Sequence, residues 1–303
     1  MVNNKIEFSI VIPIKGTSEE LKFIDKTLPS YYAVNPSELV ISIDDPPEEK
    51  AIMPKIKAVA KSCRAEEKTR ILNIKIGNNG WNDQQMKARY TGFLNAKYDR
   101  ILTGDIDLVI NKNVLKAVKL VGKDGIGLVS CSKLRVPHDF LSFYRMFGEM
   151  VLKKVAHRFP NFGATSFTGL YAVWKPYWLD VLTIDVAKKF TKLKSKVRQG
   201  LPVTVSDFYG SGDDTFLRDL MVKKYKCVYL TDVGATVLTD PWEDRPIIQY
   251  GKGVYFASMG RKMIISVGRA IVRAQPYYIV GYLHGRKIKD AVTGLEFKWN
   301  REK

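Results

Sequence analysis

Short apolar runs alternate with longer amphipathic ones through the first half of the chain. Residues 8–14 (FSIVIPI) form a continuous apolar run that predicts a buried strand, followed by a loop at 15–18 and a helix from Glu19. A second run, 39–43 (LVISI), stops at Asp44, Asp45, Pro46 and Pro47, since proline cannot continue a paired strand. A third, 71–76 (ILNIKI), breaks at Asn78, Asn79 and Gly80. Beyond it Met86, Tyr90, Phe93 and Leu94 fall on one helical face, with Asn82 and Asp83 suited to the start of that helix. Residues 101–103 open a fourth strand inside RILTGDIDLVI, residues 100–110. Strands separated by helices in this way predict an α/β architecture, a mixed but mostly parallel sheet flanked by helices.

The second half is less regular. Residues 127–132 and the apolar segment 167–174 (FTGLYAVW) predict further strands, and 139–157 a helix bearing Phe143, Phe147, Met150 and Val151. Residues 188–198 (KKFTKLKSKVR) are densely basic and read as a solvated loop or helix face. Gly210 and Gly212 precede a helix whose apolar residues are Phe216, Leu217, Leu220 and Met221, and a strand follows at 235–238. There is no internal repeat and no low-complexity linker.

Composition narrows the class. With 46% apolar and 26% charged residues in 303, the chain is globular and long enough to bury a large core. Its net charge of +18, with a pI near 9.6, implies an anionic partner: nucleic acid, an anionic membrane surface or a phosphorylated substrate. Cys63, Cys131 and Cys227 are scattered, so neither a disulfide framework nor a zinc site is expected, and each is read as a core residue in a reducing compartment. Lys5 and Glu7 interrupt any secretory leader near Met1, and the longest nearly uncharged C-terminal stretch, 274–285, is too short to cross a bilayer. A cytoplasmic protein, peripheral on the membrane, is the expectation.

Candidate chemistry gathers at strand ends. Asp105 and Asp107 are two apart where an apolar strand runs out; on a strand, residues at that spacing share a face. Two hard oxygen donors suit Mg²⁺ or Mn²⁺, which bind through one or two carboxylates plus substrate phosphates. Chance can supply such a pair among 31 acidic residues, so context must decide. Ligands in open α/β sheets bind beyond the carboxyl ends of the strands, which would bring Asp44, Asp45, Asn79, Asp105 and Asp107 to one crevice. Asp213 and Asp214, at the start of the helix in GSGDDTFLRDLM, are either helix caps or a general base held ionised by the helix terminus.

The ordered series FSIVIPIKG, ISIDD, NNGWNDQQMKARYTGF, LTGDID and GSGDDTFLRDL, spanning residues 6 to about 240, resembles the inverting family 2 glycosyltransferases, which have the GT-A fold. Ala88, Arg89 and Gly92 match the family pattern well; Asn79 and Gly80 match its Asn-x-Gly only loosely. The resemblance implies that Pro13, Asp44, Asp45, Asn79, Arg89 and Asp105 bind the nucleotide-sugar. Asp44 or Asp45 would contact the base, taken as uracil, Arg89 would lie near the nucleotide or its phosphates, and Asp105 would face the ribose or donor sugar. Asp107 would hold Mn²⁺ or Mg²⁺, with Asp105 and Asp240 as further ligands. Asp214 would be the catalytic base, and Asp213, Trp242 and Gln249 would lie on the acceptor side. Asp213 departs from the family, which usually has Glu there. The implied organisation is a catalytic domain over 1–245, divided into a nucleotide-binding half (1–115) and an acceptor-binding half (116–245), with a C-terminal extension over 246–303.

That extension contains RKMIISVGRAIVR, residues 261–273, which places Met263, Ile264, Val267 and Ile271 on one helical face and Lys262, Arg269 and Arg273 on another. A basic amphipathic helix of this kind either lies on an anionic membrane or packs on the catalytic domain. Tyr277, Tyr278, Tyr282, Arg286, Lys287 and Lys289 favour the membrane, since aromatic and cationic residues suit that interface. Processive polysaccharide-extruding members of the family carry Gln-x-x-Arg-Trp near this place; here Gln249 matches, but Lys252 and Gly253 stand at the other two positions. The expectation is therefore transfer of a single sugar to a lipid-linked or glycan acceptor. Two competitors differ in class. A nucleotidyltransferase is disfavoured because residues 14–18 (IKGTS) lack a glycine-rich, arginine-containing phosphate loop. A nucleic-acid-binding protein is disfavoured because the basic residues are spread along the chain without a recognisable binding motif.

Overall fold

The computed structural model describes residues 6–14, 17–44, 49–74, 81–135, 169–181, 224–238, 263–272 and 274–292, with single positions between 140 and 151 and between 221 and 257. The chain divides into two compact units. The first comprises residues 1–136, 164–183 and 213–238; the second comprises 137–163, 184–212 and 239–303.

The first unit is built on one eight-stranded sheet in the order β3-β2-β1-β4-β7-β6-β8-β5. Its strands are β1 (Ser9–Ile14), β2 (Glu38–Asp44), β3 (Thr69–Ile74), β4 (Arg100–Thr103), β5 (Leu108–Ile110), β6 (Ile126–Arg135), β7 (Tyr171–Trp174) and β8 (Lys226–Val237). β1 to β4 run parallel, as the β-α-β pattern predicts. The second half departs from that pattern: β7 is antiparallel to both β4 and β6, and β5 is antiparallel to β8.

The helices described in this unit are α1 (Ser18–Leu21), α2 (Ile24–Ala33), α3 (Glu49–Ser62), α4 (Trp81–Asn95), α5 (Val114–Leu120) and α6 (Lys175–Val181). The core joins Ile10, Ile12, Leu39, Ile41, Leu102, Val129 and Ala172 of the strands to Leu28 and Tyr31 of α2 and to Ile52 and Ile56 of α3. α3 is hidden in the pattern because Pro54 stands inside it. α4 opens at Trp81, one residue before the expected start, and comes very close to the sheet at Gly92. A Cβ there would collide with the Val11 side chain and lie 2.7 Å from Ser42 Oγ, so this glycine sets how near α4 approaches β1 and β2. Leu94, expected on the inner face, is exposed, whereas Phe93 is fully buried.

In the second unit the described helices are α7 (Met263–Val272) and α8 (Pro276–Val292). The described residues between 140 and 151 are helical, as expected. Gly253 and Gly281 lack room for any side chain, since a Cβ would strike the backbone of residues 278–282 or of Tyr250 respectively. Gly253 stands where the processive motif has tryptophan, and this packing leaves no space for one. Of the cysteines only Cys131 is a core residue; Cys63 and Cys227 are half-buried, which corrects the expectation for those two.

Candidate functional site

β4 ends at Thr103, whose hydroxyl donates to the Val11 carbonyl at 2.8 Å and ties β4 to β1. The chain then leaves the sheet. Asp105 lies in a loop and Asp107 in a turn that leads into β5, so the pair is not on one continuous strand and strand alternation is not what disposes it. Ile106 between them is 4% exposed and belongs to the core. Burying that one apolar side chain pins the turn and leaves the flanking aspartates half-buried at its surface.

Asp105 is held from every side. Its carbonyl accepts the Tyr31 hydroxyl at 2.9 Å and the Leu108 amide at 3.2 Å. Its Oδ1 accepts Arg89 Nη2 at 2.6 Å, in an ion pair whose arginine side chain is 3% exposed. The other carboxylate oxygen, Oδ2, lies against Gly169, where a Cβ would collide with it. Gly104 is constrained likewise, because a Cβ there would strike the Tyr31 hydroxyl. Burial first, then the charges of Asp105 and Asp107, push the Tyr31 hydroxyl well above its usual range; it therefore stays protonated as a donor.

Asp107 is fixed through its backbone. Its carbonyl accepts the Leu238 amide at 2.9 Å, just past the end of β8, where Val237 pairs with Leu108.

Of the other expected site residues, Pro13 lies in β1 opposite Ser42, past the last β1–β4 pair at Val11 and Thr103. A residue without an N–H costs no ladder bond on that side. Asp44 is the last residue of β2, paired with Ile74 of the edge strand β3. Arg89 does not extend into open space but pairs with Asp105. Gln249 is helical and 2% exposed in the second unit. Asp45, Asn79, Asp213, Asp214, Asp240 and Trp242 lie outside the described residues.

Tyr31, Gly104 and Gly169 were not anticipated. A glycine next to an apolar strand segment signals close backbone approach, so Gly169 in FTGLYAVW was open to that inference. Nothing in the pattern distinguishes Tyr31 from any other helix residue on an inner face.

The donor set suits a hard cation. Among the described residues no three His, Cys, Asp or Glu side chains gather to form a complete metal site. A Mg²⁺ or Mn²⁺ ion bound through one or two carboxylates plus a diphosphate needs no such cluster.

No sequence-family profile matches the chain, and no curated protein does. Similarity appears in three dimensions. The mannosyltransferase PcManGT from Pyrobaculum calidifontis, solved with GDP-Man and Mn²⁺, aligns with 95% of this chain and 76% of its own at 16% identity and a TM-score of 0.54. S. aureus TarS 1–349 with UDP aligns over 96% and 93% at 13% identity and 0.49. Glucosyl-3-phosphoglycerate synthase from Mycobacterium tuberculosis, with Mn²⁺, UDP and glucosyl-3-phosphoglycerate, aligns over 89% and 81% at 12% identity and 0.39. The fold assignment rests on the first of these: the chain has the mixed α/β GT-A fold.

Proposed function

We propose that the protein is a metal-dependent glycosyltransferase of the inverting, family 2 type, which moves a single sugar from a nucleoside-diphosphate sugar to an acceptor hydroxyl. The carrying observation is the Asp105–Asp107 turn, which holds two half-buried carboxylates just past the end of β4. Asp105 gives one carboxylate oxygen to Arg89 and is hemmed at the other by Gly169. It is an oriented acceptor for ribose or donor-sugar hydroxyls. Asp107, at the turn beside the end of β8, is the metal carboxylate, and Asp240 is a further ligand on the strength of the family resemblance.

Mn²⁺ or Mg²⁺, when bound, neutralises charge building on the departing diphosphate. Asp44 or Asp45, at the end of β2, recognises the base, with uracil the reading from the resemblance. Asp214 accepts the proton of the acceptor hydroxyl as its oxygen attacks the anomeric carbon and the bond from that carbon to the diphosphate breaks. One displacement inverts the anomeric configuration. The acceptor is a lipid-linked saccharide or glycan at the cytoplasmic membrane face, with Asp213, Trp242 and Gln249 on its side of the site.

Donor turnover tests this reading. With a panel of UDP- and GDP-sugars and Mn²⁺, Asp107→Ala and Asp214→Asn should each lower the rate at least about a hundredfold, equivalent to roughly 3 kcal/mol of transition-state stabilisation. Chelation should abolish turnover, and added Mn²⁺ should restore it. Full activity in either variant would overturn its assignment.

A further inference from the structure

In an amphipathic helix packed on its own domain the large apolar residues face inward. α7 does the reverse. Among its described side chains, Ser266 and Ala270 are the buried ones, at 1% and 2% exposure, while Ile264 and Ile271 stand on the opposite side at 80% and 59%. α8 differs in burying two large side chains, Tyr278 and Tyr282, beside Gly281, but it too leaves apolar residues outside, with Tyr277, Val280 and Leu283 exposed. Of the three tyrosines expected at a membrane, only Tyr277 is therefore available to one.

The helical residues between 140 and 151 extend this apolar ground within the same unit. Tyr144 donates its hydroxyl to the Ile271 carbonyl at 3.1 Å. Gly148 lies so close to the Val272 carbonyl that a Cβ would collide with it. In the same helical stretch as those two residues, Phe140 and Phe147 are 84% and 57% exposed. Apolar surface gathered from two parts of the chain is the mark of an interaction site.

Charge identifies the occupant. From Pro246 to Lys289 the sequence has eight Lys or Arg and no Asp or Glu. Arg286 reaches the rim of the apolar ground, its Nη1 lying 3.9 Å from the Met263 sulfur. The second unit as a whole holds 22 basic against 10 acidic residues, a net +12 of the chain's +18. The basic residues are spread along the chain, and it is the net positive charge that is concentrated in this unit, where acidic residues are few. A nucleic-acid surface would account for the cations but not for protruding Ile and Phe. Exposed apolar side chains on helices from a stretch rich in Lys and Arg and free of Asp and Glu match the headgroup region of an anionic bilayer, which attracts cations and accepts apolar side chains beneath them.

We infer that the outward faces of α7 and α8, with Phe140 and Phe147, form a docking surface for an anionic phospholipid membrane. Neither sugar transfer nor the identity of the donor enters this inference, and its test reads no turnover. The full chain is floated with phosphatidylcholine vesicles, with and without phosphatidylglycerol. Binding to the phosphatidylglycerol vesicles and not to the neutral ones is expected, weakening as salt rises because the attraction is screened. The paired substitutions Ile264→Ser/Ile271→Ser and Phe140→Ser/Phe147→Ser should each weaken binding about tenfold or more, since each removes two membrane-inserting side chains. All four residues are exposed, so thermal melting should stay that of the parent, and the two pairs are independent should one fail to fold. Absence of binding to phosphatidylglycerol vesicles, binding unchanged in both pairs, or salt-sensitive binding to duplex DNA instead of vesicles would overturn the inference.

Discussion

Two glycines make opposite predictions although both lack side chains. Gly169 has no room, because a Cβ there would displace the Asp105 carboxylate that Arg89 holds from the other side. Gly169→Ala should lower donor turnover by about tenfold or more, as expected when a binding group is misplaced by a fraction of an ångström; the melting temperature should change little. Gly268 lies inside α7 with nothing within 4 Å of a built Cβ. Gly268→Ala should therefore leave turnover unchanged and raise stability by about 0.5–1 kcal/mol, the usual gain from removing a helix-interior glycine; calorimetry of the two variants side by side checks both. Cysteine chemistry adds a third residue-scale prediction. Burial, then the nearby Asp232 charge, pushes the Cys131 thiol up to about 12, whereas Cys63 and Cys227 are half-buried. Reactivity follows the thiolate, so at pH 8 an alkylating reagent should modify Cys63 and Cys227 and spare Cys131 until the protein unfolds, as peptide mass mapping would read.

At the scale of elements, the end of the sheet away from the proposed donor site carries a structural charge. Glu38, at the start of β2, is 5% exposed and fully employed. It accepts Ser9 Oγ, the Lys97 amide and Arg70 Nη1, each at 2.7 Å. These bonds clip β1, β2 and β3 to the chain entering β4. Glu38→Gln should cost about 1–3 kcal/mol, because buried partners lose a charged acceptor, while KM for the donor should stay unchanged, since the aspartates lie past the opposite ends of the strands; paired denaturation and kinetic measurements would separate the two effects. The sequence pattern located β1, β2 and β4 because parallel strands buried on both faces are continuous apolar runs; β3, at the sheet edge, is only partly buried. The pattern did not show the break after Thr103. RILTGDIDLVI is one apolar stretch with two interruptions, and only tertiary burial of Ile106 converts it into strand, turn and strand. The antiparallel placement of β5 and β7 was equally hidden, since pairing partners more than 40 residues apart leave no local periodicity. Asp105 and Asp107 were legible as residue types at strand ends; Arg89 as a lock on Asp105 was not, because nothing along the chain joins helix α4 to that loop.

For the whole molecule, the uneven charge has a consequence beyond binding. Like charges crowded into a compact body repel, and the repulsion is screened by salt over roughly 10 Å at about 0.1 M ionic strength. The second unit contains two-thirds of the net charge in well under half of the residues, +12 of +18 over residues 137–163, 184–212 and 239–303. The first unit, with 27 basic and 21 acidic residues, is close to balanced and is held by the large apolar core of its sheet. Raising NaCl from about 0.05 to 0.5 M should therefore stabilise the second unit selectively. Hydrogen exchange followed by mass spectrometry should show slower exchange at high salt in peptides from α7 and α8 and little change in peptides from β1, β2 and β4. A uniform response in both units would mean that self-repulsion does not limit the second unit's stability, and would leave apolar exposure on α7 and α8 as its main weakness. Anionic vesicles supply counter-charge and apolar cover together, so they should protect the α7 and α8 peptides more than salt alone does.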